Sequence, residues 1–172
     1  MQIQDVIIAL IHKLKTPVGR HLYGVLGTYD SLADFQRQLK TVTMSDGSAF
    51  PEPISLTDGI LNTFNDDEFR DVVEKEAKYP EPTKASVQHA FEEFLKSTLN
   101  TSPILILKDL ELVFAYNIDL APLRTYASDH NRVLLLLPGR RNGPRIEMYP
   151  QSPERQCQLP GFLIADDHLW EI

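Results

Sequence analysis

The chain has 172 residues, a length that favours a single domain with a core of its own and no need of staples. It is 42% hydrophobic and 24% charged, and its formal net charge of −7 argues against a broad nucleic-acid footprint. One cysteine, Cys157, excludes an internal disulfide framework and a cysteine-based metal cluster, which fits a reducing, cytoplasmic compartment.

The start, Met1-Gln-Ile-Gln-Asp, has no basic region and no cleavage signal, and no apolar run approaches the roughly 20 residues of a membrane span. Residues 3–15 carry Ile3, Ile7, Leu10 and Leu14 on one stripe, widened by Val6 and Ile11, and predict an amphipathic helix. Thr16-Pro17-Val18-Gly19 ends it. Residues 21–27 read as the first strand, followed by a helix over 32–40 with Ser31 as its cap. Strand, tight loop and helix are the context of a phosphate-binding loop, but the residues are wrong for one. After Gly27 there is no second glycine and no Lys-Ser or Lys-Thr pair, and Asp30 is a negative charge where phosphate would sit. Thr28, Ser31 and the first helix amides are the groups left for an anion.

Ile54-Ser55-Leu56 reads as a short strand, with Thr57 capping a helix near 58–64. Asn65-Asp66-Asp67-Glu68 opens the next helix, to about residue 78. Its acids read as an N-terminal turn rather than a metal site. Tyr79-Pro80-Glu81-Pro82 breaks the chain, and Thr83 caps a helix to about residue 99.

Pro103-Ile-Leu-Ile-Leu-Lys108 and Arg132-Val-Leu-Leu-Leu-Leu-Pro138 are continuous apolar runs, the pattern of strands covered on both faces. The 23 residues 109–131 between them suffice for a right-handed helical crossover. Lys108 stands where a magnesium-binding acid would end the strand of an active ATPase. Asp109, one place late, reads as the cap of a helix over 110–116, and a second helical piece follows from Asp119 toward Ser128. Residues 138–145 look like a turn with Asn142-Gly143 at its heart. Residues 146–149 alternate like a strand returning beside 132–137. Pro150 to Pro160 reads as loop, Phe162-Leu163-Ile164 as a last strand, and 168–172 as an added edge.

After Lys108 every basic residue other than histidine is an arginine: Arg124, Arg132, Arg140, Arg141, Arg145 and Arg155. Guanidinium forks suit phosphate, carboxylate and interface pairing. The plain reading is solvated surface with intrachain ion pairs. The sharper one makes Arg140, Arg141 and Arg145, together with Arg124, a contact for an acidic partner or for DNA phosphates.

An apolar strand leads into Asp109-Leu-Glu-Leu-Val-Phe114, then come Leu120-Ala-Pro-Leu-Arg124, Asn131-Arg132 before the next strand, Pro138-Gly139-Arg140 at its end, and Met148-Tyr149. In these residues the stretch 104–172 resembles the small P-loop-type protein of type 3 BREX phage-defence systems. The B component of those systems is a second candidate, because it has a similar Pro-Gly-ended strand. The resemblance implies a three-layer P-loop-NTPase-like α/β domain over 1–172, with a mostly parallel sheet and a C-terminal β-hairpin. It also implies a place among the subunits of an antiviral complex. Members typically carry the phosphate loop, and this chain departs from it at residues 27–32 and again at Lys108.

Three functions follow for test. The first is a non-enzymatic adaptor without cofactor or metal, contacting other subunits and DNA only indirectly, with no membrane. The second is a nucleotide switch without hydrolysis, with ATP and magnesium held through Thr28, Ser31 and Asp109. The third is a hydrolase drawing on His21, Asp30, Ser31 and His130, although no G-x-S-x-G elbow is present.

Overall fold

The computed structural model describes residues 1–152 and 157–172. Arg155 and part of the expected 150–160 loop lie outside the described residues. Five parallel strands form the centre of a seven-stranded sheet: β1 (Leu22–Gly27), β2 (Ile54–Ser55), β3 (Ile104–Lys108), β4 (Arg132–Asn142) and β7 (Leu169–Glu171), in the order β2-β3-β4-β1-β7. Strands β1, β3 and β4 lie side by side, with Val25 opposite Leu136 and Ile106 opposite Leu134. Every residue of β1 is buried, as is β4 from Val133 to Gly139. Both faces are therefore covered, the condition that makes such strands apolar throughout.

Alternate residues feed two cores, because successive side chains leave opposite faces of a strand. On one face, Tyr23, Val25, Ile106, Leu134, Leu136 and Trp170 meet helices α1 (Ile3–Leu14) and α2 (Tyr29–Leu39) through Val6, Leu10 and Phe35. On the other, Leu26, Leu105, Leu107, Val133 and Leu135 meet α3 (Leu56–Leu61), α5 (Pro80–Thr101), α6 (Glu111–Ala115) and α7 (Ala121–Tyr126). Helix, sheet, helix is the three-layer α/β arrangement expected of a P-loop-like fold. Truncating a buried leucine such as Leu107 to alanine in such a core costs about 2–5 kcal/mol. Among the described residues no helix is long and apolar enough to cross a membrane.

Several boundaries differ from the sequence reading. The cap of α3 is Ser55, whose Oγ accepts from the Asp58 amide at 3.2 Å, because the Thr57 hydroxyl is turned to donate to the Asp109 carbonyl at 2.8 Å. Helix α4 (Asp66–Glu76) does begin with the acids as a helix start: Asn65 and Glu68 form a capping box. The prolines expected to break the chain before the next helix instead open it. Pro80 is the first residue of α5, where a missing N–H costs nothing, and Thr83 lies inside the helix with its hydroxyl donating to the Tyr79 carbonyl at 3.1 Å.

The C-terminal part departs furthest. Strand β4 does not stop at Pro138. It runs on to Asn142 and changes partner, pairing antiparallel with β5 (Arg145–Met148). The returning strand therefore lies beside residues 139–142, not 132–137. The turn shrinks to Gly143-Pro144, with Gly143 left-handed at φ +59°, the two-residue hairpin that wants glycine first. A third strand, β6 (Cys157–Leu159), pairs with β5 inside the stretch expected to be loop. Phe162-Leu163-Ile164 is no strand: the Leu163 amide donates back to the Pro160 carbonyl at 3.0 Å in a turn, and Leu163 and Ile164 are buried from there. The added edge is real, and β7 pairs parallel with β1.

Candidate functional site

Open parallel sheets place ligands outside the carboxyl ends of their strands. Here that edge holds a cleft of about 270 Å³ between Gly27-Thr28-Tyr29, the Pro138-Gly139-Arg140 stretch, Tyr149 to Gln151, and Glu171. The first wall decides what the cleft can do. Only Thr28 separates β1 from α2. Thr28, not Ser31, is the cap: its Oγ1 accepts from the Ser31 amide at 3.1 Å. Ser31 sits in the first turn and donates its hydroxyl to the Thr28 carbonyl at 3.1 Å. The helix accordingly starts three residues earlier than its pattern suggests. Both hydroxyls expected to greet a phosphate are occupied with each other.

Gly27 is closely packed on the side of Ser31 and Ile172. A Cβ at Gly27 would stand 2.4 Å from the Ser31 Oγ and 3.0 Å from the Ile172 side chain. The Ile172 amide closes the same edge by donating to the Leu26 carbonyl at 2.9 Å. Asp109, the other expected ligand contact, stays outside the cleft. It sits left-handed at φ +54° beside Lys108, its carboxylate 3.6 Å from that ammonium. It does not cap a helix over 110–116 either. The helix is α6, with Leu110 at the cap position and no side-chain cap, while the Asp109 carbonyl accepts from the Thr57 amide and hydroxyl.

The arginines divide between the two ends of the sheet. The Arg140 Nε and Nη2 both reach one oxygen of Glu147 at 3.2 Å. Asn142 donates to the other oxygen, and that bond first, then Arg140 and Arg145, holds the Glu147 carboxyl below the usual carboxylate range. Arg141 reaches Asp166 and the Leu169 carbonyl, each at 3.2 Å, and its amide donates to Glu171 at 3.3 Å. The hairpin arginines are thus largely committed to intrachain pairs. Arg145 is exposed and faces Glu147 electrostatically. Arg124 does not join them. It lines a separate cleft of about 80 Å³ with Arg20, Leu22 and His168, at the opposite, amino end of the strands.

The hydrolase constellation is not assembled. His21 precedes β1, and Asp30 and Ser31 follow it, so the six residues of that strand hold them apart. His21 is 2% exposed, with Nδ1 2.8 Å from the Tyr23 hydroxyl and no partner among the described residues for Nε2. Burial, then Arg132 and His168, lowers its pKa, and Asp129 opposes them in part. Among the described residues no group of three His, Cys, Asp or Glu side chains could hold a metal.

Sequence reasoning placed Tyr149 in a strand and in the family resemblance but gave it no role at the site. It is 3% exposed, left-handed at φ +54°, edge-on to Phe114 at 6.0 Å, and its hydroxyl has no partner among the described residues. Burial, then the Glu111 charge, raises its pKa above the ordinary phenol value. Nothing in a strand-like alternation marks such a position. Comparison with protein-family models, with curated proteins and with solved structures finds no match to this chain.

Proposed function

We propose that the chain is a non-enzymatic adaptor, one subunit of a multi-protein antiviral assembly of the BREX kind. The observation that carries the non-enzymatic part is the one-residue connection at Thr28, with the Thr28 and Ser31 hydroxyls paired and Ile172 packed against Gly27. The ordered three-layer scaffold around it supports the adaptor part, because a fold can be retained for its surfaces once a site is lost. The defence assembly itself rests on the resemblance of residues 104–172. Within this reading Arg145 is the hairpin cation most available to a partner or to DNA phosphates, since Arg140 and Arg141 serve the hairpin.

The test is affinity purification of the full chain with the products of its own operon, read by mass spectrometry, beside calorimetric titration with ATP, ADP and GTP in magnesium. Stoichiometric recovery of neighbouring subunits and no nucleotide heat are expected. Tight magnesium-dependent nucleotide binding, or recovery of the chain alone, would overturn it.

A further inference from the structure

Helix α4 is an anomaly of packing. It has eleven residues and not one of them is buried. A helix this short is marginal unless an apolar face is covered. Yet Phe69 is 44% exposed and Val73 52%, one turn apart on the same side. Its neighbour Val72 turns instead toward α5, where it and Phe64 and Ala90 floor a groove of about 290 Å³. Glu68, Asp71 and Glu93 rim that groove, and no lysine or arginine lines it. Over Asp66–Glu76 six carboxylates face two cations, so this helix carries −4 of the chain's net −7. Lys75 pairs with Asp71 at 2.7 Å, and Glu68 also holds the Asn65 amide in the cap.

We infer that the α4–α5 groove, with the Phe69–Val73 face beside it, docks a cationic amphipathic helix from a partner protein. The apolar floor asks for aliphatic side chains and the acidic rim asks for lysine or arginine around them. Charge selects among occupants. A second copy placed here by a two-fold axis would set Glu68, Asp71 and Glu93 against themselves. An anionic lipid surface would be repelled in the same way. The eleven residues of α4 span about 16 Å, which sets the partner segment at about three turns. This deepens the adaptor reading by naming the kind of segment an assembly partner would present.

The probe is a fluorescein-labelled 14-residue peptide with leucines on one face and lysines on the other, titrated into the full chain. Saturable binding that weakens with salt is expected, with none for the same peptide carrying glutamates. Asp71→Lys/Glu93→Lys should weaken it by about tenfold or more, and Asp5→Lys/Asp30→Lys, with the same change in net charge, should leave it within about twofold. Amide resonances of residues 63–73 and 86–93 should be the ones that shift. Equal loss from the two double variants, or shifts scattered over the surface, would overturn the groove. In co-purification, a charge-reversed chain that still recovers its operon neighbours sinks the groove and leaves the adaptor. Peptide binding at the groove, with no neighbour recovered by the native chain, sinks the adaptor and leaves the groove.

Discussion

Gly139→Ala should destabilise the protein, and the structure says by how much. Gly139 is the first residue of β4 in its antiparallel register, directly after Pro138 has paired with Gly27 in the parallel one. An added methyl would stand 2.6 Å from the Glu147 carbonyl oxygen, 3.1 Å from the Met148 sulfur and 3.3 Å from a Leu26 methyl. The two side-chain ends can yield. The carbonyl belongs to a strand pinned by the β4–β5 ladder, so relief requires β5 to move. Overpacking of this kind costs about 1–3 kcal/mol, set against a gain of less than about 1 kcal/mol from stiffening the unfolded chain. In a chain of this length each kcal/mol moves Tm by about 2–4 °C. Urea denaturation followed by Trp170, the only tryptophan and 8% exposed, reads the change, with circular dichroism as a second probe. Gly161→Ala is the matched control, because its methyl would meet only the Pro144 carbonyl at 3.6 Å, and a change within about 0.5 kcal/mol is expected. A Gly139→Ala protein as stable as the control would refute the steric account of the strand crossing.

Two further outcomes are expected. His21 and His168 both have lowered pKa values, chiefly through burial, so the unfolded state takes up protons first. Their contribution is complete above the ordinary histidine value of 6.5 and is lost as pH falls below it. Denaturation midpoints should therefore drop between pH 7.5 and 5.5, and a level profile across that window would contradict the lowered histidine values. The Cys157 thiol is pushed up to about 11 by burial and then by Glu111. Its thiolate fraction at pH 8 is about a hundredfold below that of an ordinary thiol, so Ellman's reagent should react slowly with the native protein and fast in guanidinium. Equal rates in the two conditions would contradict that environment.

The sheet was legible because its strands are buried on both faces. Continuous runs such as Val133 to Leu137 suit few other settings, and the 23 residues from 109 to 131 left room for a crossover. What was not legible depended on partners far away in sequence. Pro138 looks like a strand end because it cannot donate, but here its carbonyl takes the Tyr149 amide at 2.7 Å and the strand carries on. Arg140, Arg141 and Asn142 look like loop because they are polar. Glu147, Asp166 and Glu171 explain them, and only the hairpin register and the β7 edge bring those acids near. Phe162-Leu163-Ile164 misleads in the opposite sense, since an apolar triplet can fill a core from a turn. Arg124 could be called cationic from the sequence, but which end of the sheet it reaches is a matter of topology.

Gly27 shows why the site was harder to read than the fold. A glycine that ends a strand and opens a helix signals that something comes within touching distance of the backbone. In a phosphate loop that something is the ligand, and lysine and hydroxyl follow to hold it. Here the Ser31 Oγ and Ile172 come close instead. The glycine is required by the protein's own packing, so its presence says nothing for a nucleotide. A bulkier residue at position 27 would press on Ser31, the side chain that closes the cap of α2. The glycine that invites comparison with a nucleotide site is, in this chain, a requirement of the strand-to-helix connection itself.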